Sequence, residues 1–167
     1  MMKEGFAIRP AEFKDAEPIF RLIKKHPQEL LARSISDIVQ NVDRFLVCVH
    51  GDRVIGTVSW QILPEIGDPK DPTVEIKSLA VDPHHQKTGL GRALVSKAIE
   101  YIQELRPVQI LVLTFTPKFF KKLGFRKVSK KRMMHKIYAG CINCSKYDSP
   151  FTCPETAMTL VLREHTE

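Results

Sequence analysis

The sequence contains no apolar run that approaches the roughly 20 residues required by a membrane-spanning helix, although 43% of its residues are hydrophobic. No apolar stretch follows the first six residues, as it would in a signal peptide. Neither the G-x-G-x-x-G pattern of dinucleotide-binding folds nor the G-x-x-x-x-G-K-[ST] pattern of P-loops occurs, and there is no internal repeat. These absences predict a cytoplasmic protein without a membrane-bound part, and they exclude two common classes of nucleotide-binding site.

Length and charge set further bounds. A chain of 167 residues, of which 27% are charged, fits one globular domain, which we expect to span residues 1–167. Its formal net charge of +7 admits two kinds of partner, nucleic acid or small polyanions. The basic segment 118–136 has few aromatic residues for base stacking and no recognisable nucleic-acid-binding motif. We therefore expect a small polyanion and no nucleic acid.

One stretch combines a strand, a glycine-bearing loop and a helix start. Thr73–Val81 alternates and is rich in β-branched residues, which predicts a strand that ends at Asp82-Pro83. The loop Gln86–Gly91 leads into a predicted helix whose apolar stripe is Leu90, Leu94, Ala98, Tyr101, Ile102 and Leu105. Free N–H groups and the helix dipole at such a junction bind phosphate, and Lys87 and Arg92 add positive charge. A surface turn before an ordinary helix would give the same pattern.

Shorter patterns predict the remaining elements. Strands are expected at residues 6–9, 44–50, 53–63, 108–114, 125–128 and 156–162, and helices at residues 15–26, 34–42 and 117–124. An irregular, cysteine-bearing insertion from about residue 132 to 154 separates the last two strands.

Three motifs resemble those of the GNAT acetyltransferases, which use acetyl-CoA. Gln86–Gly91 matches Q/R-x-x-G-x-G/A, Val81-Asp-Pro83 precedes it, and Phe119–Phe125 follows downstream. The resemblance covers residues 6–128 and implies an α/β fold with a mixed, mostly antiparallel central sheet, splayed central strands at 73–81 and 108–114, and flanking helices. It implies that acetyl-CoA contacts Leu79, Ala80, Val81, Gln86, Lys87, Thr88, Gly89, Leu90, Gly91, Arg92, Phe119 and Phe120.

The same resemblance assigns the acid–base chemistry. Strand alternation places Glu75, Lys77, Leu79 and Val81 on one face of the central strand, and Ser78 on the other. In a GNAT fold the first of these faces looks into the acceptor site, where Glu75 matches the position of a general base. An ordinary strand would instead turn Glu75 and Lys77 to solvent.

The resemblance does not identify the general acid. Many GNAT enzymes have a tyrosine where this chain has Phe120, which cannot donate a proton. Thr114, Thr116 or water are the remaining candidates.

A narrower resemblance concerns the acceptor. Leu30–Ser34 and Glu75–Val81 resemble the acetyltransferase domain of N-acetylglutamate synthases, and the cysteine-bearing tail resembles short single-domain versions. This implies acetylation of the α-amine of an amino acid, with L-glutamate as the first candidate, within arginine biosynthesis. Arg33, Lys77 and Lys136 would then bind substrate carboxylates. The alternatives are another small-molecule or protein amine and a zinc-containing nucleic-acid-binding module, and the sequence leaves monomer and homodimer open.

Three of the four cysteines follow a histidine at spacings suited to a metal. His135, Cys141, Cys144 and Cys153 form H-x5-C-x2-C-x8-C, which fits either a structural zinc site or free thiols. Cys48 lies within an apolar strand and is expected in the core.

Overall fold

A computed structural model of the protein describes residues 5–63, 72–133, 146–149 and 151–163. Seven strands form one sheet in the order β1-β2-β3-β4-β5-β7-β6. The strands are β1 (Phe6–Pro10), β2 (Phe45–His50), β3 (Arg53–Leu63), β4 (Thr73–Val81), β5 (Gln109–Thr114), β6 (Arg126–Lys127) and β7 (Thr156–Val161). The helices are α1 (Ala16–Lys24), α2 (Ile35–Gln40), α3 (Leu90–Glu104) and α4 (Pro117–Lys121).

Local sequence signals explain several of these boundaries. The side chain of Ser34 accepts a hydrogen bond from the backbone N–H of Asp37 and so caps α2, as the sequence predicts. Gly51 turns the chain between β2 and β3 with φ +57°, and Gly124 follows α4 with φ +93°. Both are left-handed conformations, which glycine adopts without the steric cost of a Cβ atom.

The predicted fold class is confirmed, since the sheet is mixed and mostly antiparallel. β1 pairs with β2, β2 with β3, β5 with β7, and β6 with β7, all antiparallel. β4 and β5 are parallel, and their register pairs Thr73–Glu75 with Gln109–Leu111. Only the first three residues of each strand take part in this parallel register, as expected for splayed central strands.

The chain forms two compact units. The first comprises Met1–Gln61 and Ile76–Glu104, and the second comprises Ile62–Glu75 and Leu105–Glu167. In the first unit, α1, α2 and β2 enclose a core of Ala16, Ile19, Ile23, Ile38, Phe45 and Val47. In the second, Leu63, Leu111, Met133 and Ala157 pack together. That residues 1–167 act as one domain stays a prediction.

The structure corrects two details of the sequence-based expectations. Leu105 does not belong to the buried stripe of α3, because the helix ends at Glu104 and the Leu105 side chain is 52% exposed. Ser78 has φ +54° inside β4, a conformation that interrupts regular strand alternation.

Among the described residues, none of the helices is both long and apolar enough to cross a membrane.

Candidate active site

The loop between β4 and α3 has the geometry of an anion-binding site. Lys87 and Gly89 adopt left-handed φ values of +59° and +87°, and no heavy atom lies within 4 Å of the position that a Cβ atom on Gly89 would take. Such conformations orient successive N–H groups toward one concave surface. The loop continues into the 15-residue helix α3, whose first turn has no acidic residue and contains Arg92. Exposed backbone donors, a helix dipole and two cations suit a pyrophosphate.

An anchor immediately before the loop orients its first turn. The buried Asp82 carboxylate accepts hydrogen bonds from Lys25 Nζ at 2.7 Å and from the His84 N–H at 3.0 Å. The hydrogen bond from Lys25 lowers the pKa of Asp82 from 3.8 to about 2, against the opposing effect of burial. His26 Nε2 donates to the carbonyl oxygen of Val81 at 3.0 Å. Two residues from the end of α1 thus fix the end of β4.

Arg33 is largely buried in the first unit, with 14% of its side chain exposed. Its Nη1 donates to Ser59 Oγ at 3.1 Å and to Ser78 Oγ at 3.2 Å, and its Nε donates to the Asp37 carboxylate at 2.5 Å. The guanidinium carbon is 4.9 Å from the centre of the Phe45 ring. These contacts come from α2, β2, β3 and β4, so the surroundings of Arg33 are a product of the tertiary structure.

Lys77 is part of the same hydrogen-bonded cluster. Ser59 Oγ donates to the Lys77 carbonyl oxygen at 3.2 Å, and Lys77 Nζ donates to Gln61 Oε1 at 3.1 Å. Ser59 therefore links the Arg33 guanidinium to the backbone of Lys77, while the Lys77 ammonium contacts Gln61.

Glu75 lies in the second unit, where it is a buried carboxylate with 4% of its surface exposed. It pairs in register with Leu111 of β5, which in turn pairs with Thr159 of β7. Glu155 immediately precedes β7, and burial together with the negative charge of Glu75 raises the pKa of the Glu155 carboxyl. Glu75 is therefore not the solvent-facing carboxylate of an ordinary strand, and its charge acts on a second acid, Glu155.

The candidate general acids lie at the end of β5. Thr114 is buried, and its Oγ1 lies 3.1 Å from Thr116 Oγ1 and accepts a hydrogen bond from the Thr116 N–H at 2.9 Å. Phe120 is buried edge-on against Phe125, with 5.4 Å between the ring centres, and Phe119 packs against Phe120. Phe120 thus packs in the core of this unit.

Four predicted ligands lie outside the described residues: Lys136, His135, Cys141 and Cys144. The fourth predicted zinc ligand, Cys153, donates its thiol to Glu155 at 3.6 Å. Within the described ranges no group of three or more His, Cys, Asp or Glu residues is arranged to hold a metal ion. The zinc prediction is therefore unsupported. Cys48 is confirmed as a core residue, since it is fully buried and burial raises the pKa of its thiol.

Sequence reasoning missed Ser59, Gln61 and Glu155. Each acquires its place only through strand pairing, and no local pattern distinguishes these residues from other polar residues in strands. Ser78 was placed on the opposite face of β4 from Lys77. No local pattern in the sequence of β4 indicates the positive φ of Ser78.

Comparisons with known proteins give the family. The sequence pattern of the Acetyltransferase (GNAT) family matches residues 10–125. An uncharacterized N-acetyltransferase of Chlorobaculum tepidum is 32% identical over 93% of this chain and 96% of its own. An amino-acid acetyltransferase of Mycobacterium tuberculosis is 26% identical over 84% of this chain and 79% of its own.

Solved structures share the fold. A Mycobacterium tuberculosis protein in complex with CoA and NLQ has a TM-score of 0.77 at 25% identity, covering 93% of this chain and 99% of that one. The N-acetylglutamate synthase of Neisseria gonorrhoeae, complexed with coenzyme A and N-acetyl-glutamate, has a TM-score of 0.76 at 20% identity; 97% of this chain matches 36% of that one. With the family pattern covering most of the sequence, the chain belongs to the GNAT family of acetyltransferases.

Proposed function

We propose that this acetyltransferase transfers the acetyl group of acetyl-CoA to the α-amine of an amino acid, with L-glutamate as the first candidate. The observation that carries the proposal is the set of contacts around Arg33. There a nearly buried guanidinium is bound by two neutral hydroxyls, and Lys77 belongs to the same cluster. Arg33 also pairs with Asp37, but this carboxylate is 43% exposed and offsets the buried guanidinium charge only in part, which favours an anionic ligand at this position.

Acetyl-CoA would bind with its pyrophosphate at the Gln86–Arg92 loop. The left-handed backbone at Lys87 and Gly89, the open space beside Gly89 and the start of α3 support this assignment. Leu90 is buried, so it would contribute through its backbone N–H rather than its side chain. The proposal also includes contacts between acetyl-CoA and Leu79, Ala80 and Val81.

The reaction requires one base and one acid. The nitrogen of the neutral amine attacks the thioester carbonyl carbon, and the C–S bond breaks as the C–N bond forms. Glu75 takes the proton that the nitrogen loses, and the CoA thiolate leaves with the electron pair of the C–S bond. That thiolate then receives a proton from Thr114, Thr116 or water. Glu75 is proposed for the first role because it is a buried carboxylate on β4, at the position that resembles the general base of the family.

An acidic amino acid is favoured over the others because it carries two carboxylates, and glutamate is the first candidate. Arg33 and Lys77 would bind them, and Lys136 is a third candidate from outside the described residues. The name of one relative, amino-acid acetyltransferase, supports an amino acid as the acceptor. A place in arginine biosynthesis follows from glutamate as substrate and is part of the same proposal.

The test is a thiol-release assay with acetyl-CoA and each of the twenty amino acids. Glutamate should react fastest, and glutamine should be poorer because its amide leaves one cation without an anion. Replacing Arg33 with Ala should raise the glutamate KM by about 10- to 150-fold, since a hydrogen bond to a charged group contributes about 1.5–3 kcal/mol. The KM for acetyl-CoA should not change.

A matched control removes a cation elsewhere on the same unit. Lys97 lies on α3 in an exposed ion pair with Glu100, so Lys97→Ala should leave both KM values unchanged. Equal rates with glutamate and alanine, or no rate with any amino acid, would transfer the assignment to another small-molecule or protein amine.

A further inference from the structure

Ser78 has an unusual backbone for a residue in the middle of a strand. Its φ of +54° lies in the left-handed region, which residues with a Cβ atom rarely adopt, and only 9% of its surface is exposed. Glycine would adopt this conformation without steric cost. A residue that is strained in this way points to a role for its side chain, because strain persists where the surrounding structure enforces it.

The Ser78 hydroxyl has one described side-chain partner, the guanidinium of Arg33. Arg33 Nη1 donates to Ser78 Oγ at 3.2 Å and to Ser59 Oγ at 3.1 Å, while Nε donates to Asp37. Phe45 lies against the guanidinium, with 4.9 Å between the Arg33 Cζ and the ring centre. Contacts on Nε, on Nη1 and on one face fix the guanidinium plane, and this plane determines the direction of the Nη2 donor.

The chemical type of these partners also matters. Hydroxyl oxygens accept hydrogen bonds from Nη1. Unlike a buried carboxylate, they carry no negative charge that would offset that of the guanidinium. The one carboxylate on Arg33, Asp37, has 43% of its side chain exposed, so solvent screens its charge. Arg33 is therefore oriented, and its charge is offset only in part by Asp37.

We propose that Ser59 and Ser78 are positioning residues that orient Arg33 toward the carboxylate of the acceptor and so determine the preference for acidic acceptors. Ser59 is itself held in place, because its hydroxyl donates to the Lys77 carbonyl oxygen. This inference rests on the proposed function, in which Arg33 binds a substrate carboxylate.

The test separates positioning from folding. Ser78→Gly removes the hydroxyl and relieves the left-handed strain, so the melting temperature should stay the same or rise. The glutamate KM should nevertheless rise about 3- to 10-fold, the range expected for losing one hydrogen bond to a charged group that keeps a second. The values of kcat and of the KM for acetyl-CoA should change less than 2-fold.

Ser59→Ala should give a similar rise in glutamate KM, and the double variant Ser59→Ala/Ser78→Gly should exceed either alone. Ser78→Asn, which tolerates a positive φ and keeps an acceptor oxygen, should recover part of the loss. Ser96, an exposed hydroxyl on α3, provides the control: Ser96→Ala should raise helix stability and leave the glutamate KM unchanged.

The outcomes are distinguishable. If wild-type protein does not acetylate glutamate, the proposed function fails and this inference fails with it. If wild-type protein acetylates glutamate while both single variants and the double variant keep the wild-type KM, the inference alone is wrong. A fall in kcat that follows the melting temperature, with KM unchanged, would reduce both serines to structural residues.

Discussion

Glu75 combines burial with a position in the strand that resembles the catalytic strand of the family. With 4% of its surface exposed, it is one of few buried carboxylates among the described residues. A buried charge is costly, and natural chains retain such groups where partners or function require them. Glu155 adds to this local electrostatics, since burial and the charge of Glu75 raise its pKa.

If Glu75 is the base, replacing it with Gln should lower kcat by about 10²- to 10⁴-fold, the usual contribution of general base catalysis. The substitution keeps the size of the side chain, so substrate KM values should change much less. Steady-state kinetics at neutral pH provides the measurement.

A control for carboxylate loss is Glu100→Gln on the exposed face of α3, which should leave kcat unchanged. Wild-type turnover by the Glu75→Gln protein would mean that Glu75 has a structural role only.

At the scale of the element, the loop from Gln86 to Arg92 depends on backbone conformation more than on side chains. Gly89 has φ +87° and faces open space. Gly89→Ala should weaken CoA binding by about tenfold, because a Cβ atom disfavours the left-handed backbone that presents the N–H groups. Isothermal titration calorimetry measures this affinity.

Gly51 provides the matched control for that substitution. It also has a positive φ, +57°, and open space around its Cβ position, but it lies in the β2–β3 turn. Gly51→Ala should lower thermal stability, because a Cβ atom disfavours its left-handed backbone as well. Its CoA affinity should stay at the wild-type value. If the Gly89→Ala protein binds CoA as tightly as the Gly51→Ala protein does, the assignment of the Gln86–Arg92 loop to the pyrophosphate is contradicted.

The ion pair between Lys25 and Asp82 joins the end of α1 to the end of β4. Because the pKa of Asp82 is lowered from 3.8 to about 2 in the folded protein, the unfolded chain binds more protons between these values. The stabilisation is therefore complete above about pH 4 and is lost as the pH falls through about 2. Since Lys25 is half exposed, the contribution at neutral pH should be about 0.5–1 kcal/mol.

Asp82→Asn should lower the free energy of unfolding by that amount at pH 7, and the difference from wild type should vanish near pH 2. Urea denaturation at several pH values measures it. Asp52→Asn in the exposed β2–β3 turn should show no comparable difference at any pH. A constant difference between wild type and Asp82→Asn across this pH range would exclude the ion pair as its cause.

At the scale of the whole molecule, the central strand β4 belongs to both compact units, with Thr73–Glu75 in one and Ile76–Val81 in the other. Glu75 therefore lies in the second unit, while Lys77 and Ser78 lie in the first. The net charge of +7 agrees with a small polyanionic ligand such as acetyl-CoA. In the first unit this charge includes Lys87 and Arg92 of the loop before α3, together with Arg33 and Lys77.

The sequence by itself determined the local structure and the family. Periodicity and turn residues predicted every strand and helix to within a few residues, because these signals depend on neighbours along the chain. The glycines of the Gln86–Gly91 loop and their order relative to β4 identified the candidate phosphate site for the same reason.

Only the tertiary structure decided which side chains surround the candidate chemistry. Arg33 contacts Ser59 and Ser78 across 26 and 45 residues of sequence, and Glu155 comes under the influence of Glu75 through the pairing of three strands. Likewise, a strand pattern of period two gives no sign that the backbone of Ser78 is left-handed. Such contacts depend on sheet order and register, and these result from the packing of the whole chain rather than from any local run of residues.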